Sequence, residues 1–360
     1  MSLEEFLGLK KVLLCVGSGG VGKTTTAASI AVKLARHGHR VVVCTIDPAR
    51  RLATSLGLTD LDNEERLVQD YGEGSLWAMM LDVKKTFDDV VRRESRDDES
   101  RDRILGNTYY RFASSALSLT QEFMAVEKLY ELSTCGRYDI VVLDTPPTKN
   151  TLDFLKMPGL IVAVMDKSLV KWILKPYELM GKKGRGFFAR GANKVFEGLG
   201  SVLGMQLLRD LSEFVYIMQG LVEGFHERAT KVHELLRSVE TGFVVVATAR
   251  DQSVAEARLF YEEIEGMDAD VIAVILNRLI WPEGPPDPAL VEEALAALPG
   301  ELEAVTRREL ESMAAEGRAE VANARRLAEV VPEGIIQRVP QFSEDIHDLA
   351  GLERYSELLA

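Results

Sequence analysis

Eight residues, Gly17-Ser18-Gly19-Gly20-Val21-Gly22-Lys23-Thr24, hold the most legible chemistry in the chain. They fit Gly-x-x-x-x-Gly-Lys-Ser/Thr, in which loop N–H groups cradle phosphate oxygens, the lysine reaches the terminal phosphates and the hydroxyl serves Mg²⁺. The pattern has force only between a strand and a helix. Val12 to Val16 is a short apolar run that reads as a buried strand, and Thr24-Thr-Thr-Ala-Ala-Ser-Ile-Ala-Val-Lys-Leu-Ala places apolar residues at helical spacing. The helix N-terminus adds free N–H donors and partial positive charge. Gly17, Ser18, Gly19, Gly20, Val21, Gly22, Lys23, Thr24 and Thr25 are therefore candidate ligands of a nucleoside triphosphate.

Two acids follow apolar strands. Asp144 ends the run Tyr138 to Leu143 and precedes Thr145-Pro146-Pro147-Thr148. A carboxylate there holds Mg²⁺ directly or through water, and makes a metal set with Thr24 and Asp47. Asp47 follows the run Arg40 to Ile46 and is succeeded by Pro48-Ala49-Arg50-Arg51. It can orient or deprotonate an attacking water, or it can cap the next helix. Asn277 opens Asn-Arg-Leu-Ile after the run Val271 to Leu276. Guanine sites use Asn-Lys-x-Asp; with Ile280 in the fourth position, the amide favours adenine.

These residues need a scaffold that gathers strand ends. Strands are expected at 12–16, 40–46, 76–83, 138–143, 160–165, 243–248 and 271–276, alternating with helical stretches. That alternation predicts an α/β fold, a mostly parallel sheet covered on both faces, with its site at the carboxyl ends of the strands. Gly38 is placed to end the first helix. Residues 84–135 read as helical, and the charged block from Arg92 to Arg103 reads as a solvated surface.

With 360 residues, 46% hydrophobic and 28% charged, the chain has the composition of a globular protein of one large or two ordinary domains. Its net charge of −13 argues against general nucleic-acid binding, which needs a clustered basic surface. No apolar run is long enough to span a bilayer. The acidic opening Met-Ser-Leu-Glu-Glu-Phe reads as no secretory signal, so a cytoplasmic location is expected. Cys15, Cys44 and Cys135 lie far apart and are expected to be small buried apolar residues.

The segments Gly-Gly-Val-Gly-Lys-Thr-Thr-Thr, Thr-Ile-Asp-Pro-Ala-Arg-Arg-Leu and Asp-Thr-Pro-Pro-Thr-Lys-Asn-Thr-Leu-Asp-Phe-Leu together resemble the ArsA family of ATPases. That family includes the arsenite-pump ATPase and the ATPase that targets tail-anchored membrane proteins, in the deviant-Walker P-loop class. The likeness extends over nearly the whole chain, including Asn277-Arg-Leu-Ile-Trp-Pro-Glu and Val339-Pro340-Gln-Phe-Ser-Glu-Asp-Ile. The resemblance implies a single P-loop ATPase domain over 1–360 with an inserted helical subdomain from 84–135 and 168–238. It implies ATP and Mg²⁺ as cofactors. Lys23 and Thr24 would bind phosphates and metal, Asp47 would polarise water, Asn277 would contact adenine, and Pro340 would join the nucleotide-binding set. Such proteins act as nucleotide-sandwich dimers, so a homodimer or a heterodimer with a paralogue is expected.

The chain also departs from that family. The deviant motif carries a lysine where this chain has Ser18, and a serine supplies no cation in trans. Arg50 or Arg51 could serve as an arginine finger, or both could be surface or helix-start residues. The targeting ATPase holds a zinc through paired cysteines, but residues 285–335 contain none, so no zinc is expected. The arsenite pump's metalloid site needs several thiols near the nucleotide, so arsenite transport is not expected here.

Within 168–238, Leu199, Leu203, Met205, Leu207, Leu208, Leu211, Phe214, Val215, Met218 and Leu221 recur at helical spacing. They could line a groove for a hydrophobic client or form the core of a helical hairpin. The C-terminus lacks a basic amphipathic membrane anchor. Targeting or holding a membrane-protein client is the leading expectation. The alternatives are an energising subunit of a membrane assembly, as in an anion pump, or a slow or inactive ATP-binding partner of a paralogue. DNA partitioning of the ParA kind is disfavoured by the charge.

Overall fold

The computed structural model describes residues 7–47, 49–95, 97–107, 110, 118–146 and 227–359, without the side chains of 118–123 and 301. Contacts divide the chain into two units, one from 1–81, 129–152 and 235–360 and one from 82–128 and 153–234.

The first unit is built on eight strands: β1 Val12–Val16, β2 Arg40–Thr45, β3 Arg66–Asp70, β4 Ser75–Met80, β5 Ile140–Asp144, β6 Thr241–Thr248, β7 Val271–Leu279 and β8 Ile336–Pro340. Their order is β3-β4-β2-β5-β1-β6-β7-β8. Every pair is parallel except β3 with β4. Strands β1 and β5 are buried along their whole length and β6 as far as Ala247, as mainly apolar runs require when both faces are covered.

Helix α1, Lys23–Arg36, starts directly after the phosphate loop. It is buried nearly all round because the sheet lies on one side and helix α9, Leu349–Glu357, packs on it as well. The Thr26 and Tyr355 hydroxyls share a hydrogen bond of 2.8 Å between them. The other helices of this unit include α2 Arg51–Ser55, α6 Asp251–Glu265, α7 Pro288–Ala296 and α8 Gly300–Ala328.

Among the described residues, the second unit contains α3 Val83–Glu94 and α4 Asp98–Gly106. Asp82 and Asp97 cap them by accepting from the Lys85 and Ser100 amides. Helix α5 is Ser118–Thr134.

Several expectations need correction. The strand expected at 76–83 stops at Met80, because Asp82 caps a helix from Val83 onward. The block 92–103 is not wholly solvated: Arg93 pairs with the buried Glu127, whose Oε1 also accepts from Arg228. Cys15 and Cys44 are buried, but Cys135 follows α5 in an exposed turn. Asn277 lies inside β7 rather than beyond its end. The edge strands β3 and β8 were not expected; both are short and mix polar with apolar residues. The strand expected at 160–165 and most of the segment 168–238 lie outside the described residues.

Candidate functional site

The loop between β1 and α1 takes its shape from glycine. Gly17 has φ 150°, and a Cβ there would collide with the Val246 carbonyl oxygen on β6. Gly22 has φ 100° and caps α1 with no side chain over the helix end, so the first-turn N–H groups face the loop. A Cβ on Gly22 would strike the Asn277 amide. Gly22→Ala is therefore expected to lower stability by about 1–3 kcal/mol through the left-handed backbone alone. It should also displace Asn277; thermal melts with a nucleotide titration check both effects.

Lys23 is buried, and its Nζ donates to the Ser18 carbonyl at 2.7 Å, which holds the ammonium inside the loop. Burial pushes its pKa below the usual lysine value, opposed by the charges of Asp144 and Asp47. Thr24 Oγ1 donates to Asp144 Oδ2 at 2.8 Å, and Thr45 Oγ1 donates to the same oxygen at 2.9 Å. Asp144 Oδ1 is buried and has no hydrogen-bond partner in the structure. Desolvation raises the Asp144 pKa to about 6, against the stabilising hydroxyls and Lys23. Thr145 ties the end of β5 to β1 by donating to the Cys15 carbonyl at 2.8 Å.

Asp47 stands at the end of β2, where Oδ1 accepts the Ala49 amide at 2.9 Å. Its Oδ2 lies 3.7 Å from an Arg51 nitrogen. Arg50 caps α2 with φ 55°, and its guanidinium is 3.6 Å from Asp60. The two arginines thus part: Arg51 lines the same cavity as Asp47, and Arg50 does not.

That cavity, about 1170 Å³, is lined by Gly19, Gly20, Gly22, Lys23, Thr24 and Thr25 on the loop side. Asp47, Arg51, Thr145, Asn277 and Pro340 complete much of the rest. Asn277 is buried; its Nδ2 donates to the Val21 carbonyl at 2.9 Å and its Oδ1 accepts the Arg278 amide at 3.0 Å. Ser18 and Val21 line a second cavity of about 790 Å³ on the other side of the loop. There the Ser18 hydroxyl donates to Glu256 of α6. Gly17 lines neither cavity.

Sequence reasoning did not anticipate Thr45, Glu256, Phe342 or Tyr355. Thr45 had a signal, as a hydroxyl at the end of an apolar strand two residues before Asp47. Glu256 and Tyr355 had none, since their separation from the loop in sequence hides the contact.

Comparison with known proteins gives the family of the chain. The anion-transporting ATPase family, ArsA, matches residues 10–294. The chain belongs to the anion-transporting ATPase family. One relative, ATPase GET3 of Malassezia globosa, is 27% identical over 284 residues, covering 78% of this chain and 77% of its own. As a member of this ATPase family, the chain hydrolyses ATP, and its sheet is the P-loop fold of that family. No helix of the described residues is long and apolar enough to cross a membrane.

Proposed function

We propose that ATP binds in the larger cavity and that its hydrolysis drives an open–closed switch of a dimer that targets or holds a hydrophobic membrane-protein client. The convergence of Lys23, Thr24, Asp47 and Asp144 at neighbouring strand ends carries the nucleotide part of this reading, and the likeness to ATPase GET3 supports the client part. The α1 amides and Lys23 bind the phosphates. Asp47 accepts a hydrogen bond from the attacking water and orients it toward the γ-phosphate. Asn277 braces the loop through Val21 and stands beside the nucleotide cavity, where it favours adenine.

The residues present fit Mg²⁺. Asp144 keeps an unpartnered buried oxygen beside the Thr24 hydroxyl, and Asp47 is near enough for its charge to raise the Asp144 pKa. Hard oxygen donors with one or two carboxylates suit this ion, which supplies charge neutralisation on the phosphates when bound. Thr24, Asp47 and Asp144 would hold it.

With Ser18 turned to Glu256, Arg51 is the better placed cation for phosphoryl transfer, because it shares the cavity with Lys23. Arg51→Ala is expected to cut turnover about tenfold, a smaller effect than a full arginine finger gives, while Arg50→Ala leaves it within about twofold. Equal loss in both variants removes the distinction.

Residues 168–238 are proposed to form the client-binding helical subdomain with 84–135, in a cytoplasmic homodimer or a heterodimer with a paralogue. Steady-state hydrolysis with light scattering, with and without an apolar helical peptide, tests the whole reading. ATP-dependent dimer closure and peptide capture support it; hydrolysis without either overturns the switch. A second reading, an energising subunit of an anion-transporting assembly, is favoured by the family's own description. It requires a specific membrane partner and no general affinity for apolar peptides.

A further inference from the structure

Arg278 follows Asn277 at the register break of β7 between Leu276 and Leu279, with φ 61°. A residue with a side chain rarely takes this left-handed backbone, and it persists where its surroundings impose it, commonly at ligand clamps. Asn277 holds the Arg278 amide here. Its one buried amide accepts the Arg278 N–H and donates to Val21, so the strained residue and the phosphate loop are held by the same side chain.

The exposed Arg278 side chain lines both cavities, and with Gly19, Gly20 and Gln341 it forms the wall they share. It makes no ion pair with a described residue. Lys23 and Arg51, the other Lys and Arg residues of the larger cavity, are engaged by the Ser18 carbonyl and by Asp47. Arg278 sits instead beside the segment that leaves β8. Leu279 is in register with Pro340, and the Gln341 amide donates to the Leu279 carbonyl at 2.8 Å. That segment brings Phe342 against Tyr355, with ring centroids 5.9 Å apart and planes 14° from parallel. Pro340, Phe342 and Tyr355 all line the larger cavity. A guanidinium can pair with a phosphate or stack on a heteroaromatic ring, and the neighbouring Pro340 and Phe342 in the same cavity favour the ring here.

We propose that Arg278 holds the base-and-ribose end of the bound nucleotide, its guanidinium stacked on the purine face, from a left-handed backbone whose amide is held by Asn277. The inference rests on the nucleotide-site reading above and adds a residue to it.

Calorimetric titration of the full chain with ATP, ADP and inorganic tripolyphosphate tests it, the last carrying the phosphates without base or sugar. Arg278→Ala is expected to weaken ATP and ADP alike by about tenfold, within the range of a partly desolvated cation–π contact, and to leave tripolyphosphate unchanged. Arg278→Lys keeps the charge but loses the plane, and should not restore the affinity. Arg278→Gly relieves the backbone and should melt no lower than the wild type while losing the same affinity, which a merely structural role would not produce. Equal weakening of tripolyphosphate, full rescue by lysine, or unchanged ATP binding in Arg278→Ala each overturns the proposal. Lys23→Ala separates the two readings. If it alone loses ATP, the nucleotide site stands and Arg278 has no part in it; if it binds ATP as the wild type does, both readings fall.

Discussion

Asp47→Asn is expected to turn over ATP about 10²–10⁴ times more slowly at saturating ATP and Mg²⁺, the usual loss when a positioned general base is removed. The substitution is nearly isosteric, and an asparagine Oδ1 can still accept the Ala49 amide that shapes the turn after β2. What disappears is the negative charge that accepts a proton from water. The contact with Arg51 also goes, but at 3.7 Å with an arginine more than half exposed it is worth only about 0–1 kcal/mol. A fall in stability cannot then account for lost turnover. Single-turnover hydrolysis, paired with a nucleotide titration and a thermal melt, separates these quantities. Turnover within about threefold of wild type would remove Asp47 from the chemistry and leave it as a turn-forming residue.

The second large effect concerns stability. Asp144 has its pKa raised from 3.8 to about 6 by burial, so the folded protein binds its proton more tightly than the unfolded chain. Between those values the folded state carries more protons. Stability from this group is therefore fully present below pH 3.8 and declines as pH rises to about 6. A shift of this size corresponds to about 3 kcal/mol, since one unit is worth ~1.4 kcal/mol. Asp144→Asn removes the titration. Relative to wild type, the nucleotide-free variant should gain several degrees of melting temperature between pH 4 and pH 7, with little further change above that. The same variant should lose hydrolysis, because the carboxylate that completes the proposed metal set is gone. A melting difference that is flat across this range would show that Asp144 is not held uncomfortably charged. The outcome also bears on evolution of the site: the buried acid is a cost retained for what it binds.

Much of the scaffold was legible because its signals are local. The runs Val12–Val16, Val41–Cys44 and Ile140–Leu143 are apolar along their whole length, which short parallel strands covered on both faces require. The phosphate loop was legible for the same reason, since its glycines, lysine and threonine are contiguous and their flanks show a change of period from strand to helix. The edge strand β8 was less legible. Ile336-Gln-Arg-Val-Pro mixes exposed and buried residues, and only its pairing with β7 makes it a strand.

The candidate site divides along the same line. Residue type and position after a strand pointed to Asp47 and Asp144. Nothing local could show that Thr24 and Thr45 share one carboxylate oxygen while the other is left buried and unpartnered. Arg50 and Arg51 are adjacent in sequence and looked equivalent. A left-handed residue at Arg50 turns one toward Asp60, and the first turn of α2 returns the other to Asp47. Ser18 was visible as a missing cation, but its bond to Glu256 joins residues 238 positions apart.

By itself, then, the sequence determined the class of fold, the phosphate-binding loop, the two strand-end acids and membership of an ATPase family, because each is written in contiguous residues and their spacing. Tertiary structure alone decided which arginine shares the larger cavity with Lys23, how Asn277 ties the loop to a strained Arg278, and why Asp144 resists ionisation. Those properties come from burial and from contacts between distant segments, and the chain acquires them only when the strands are laid side by side.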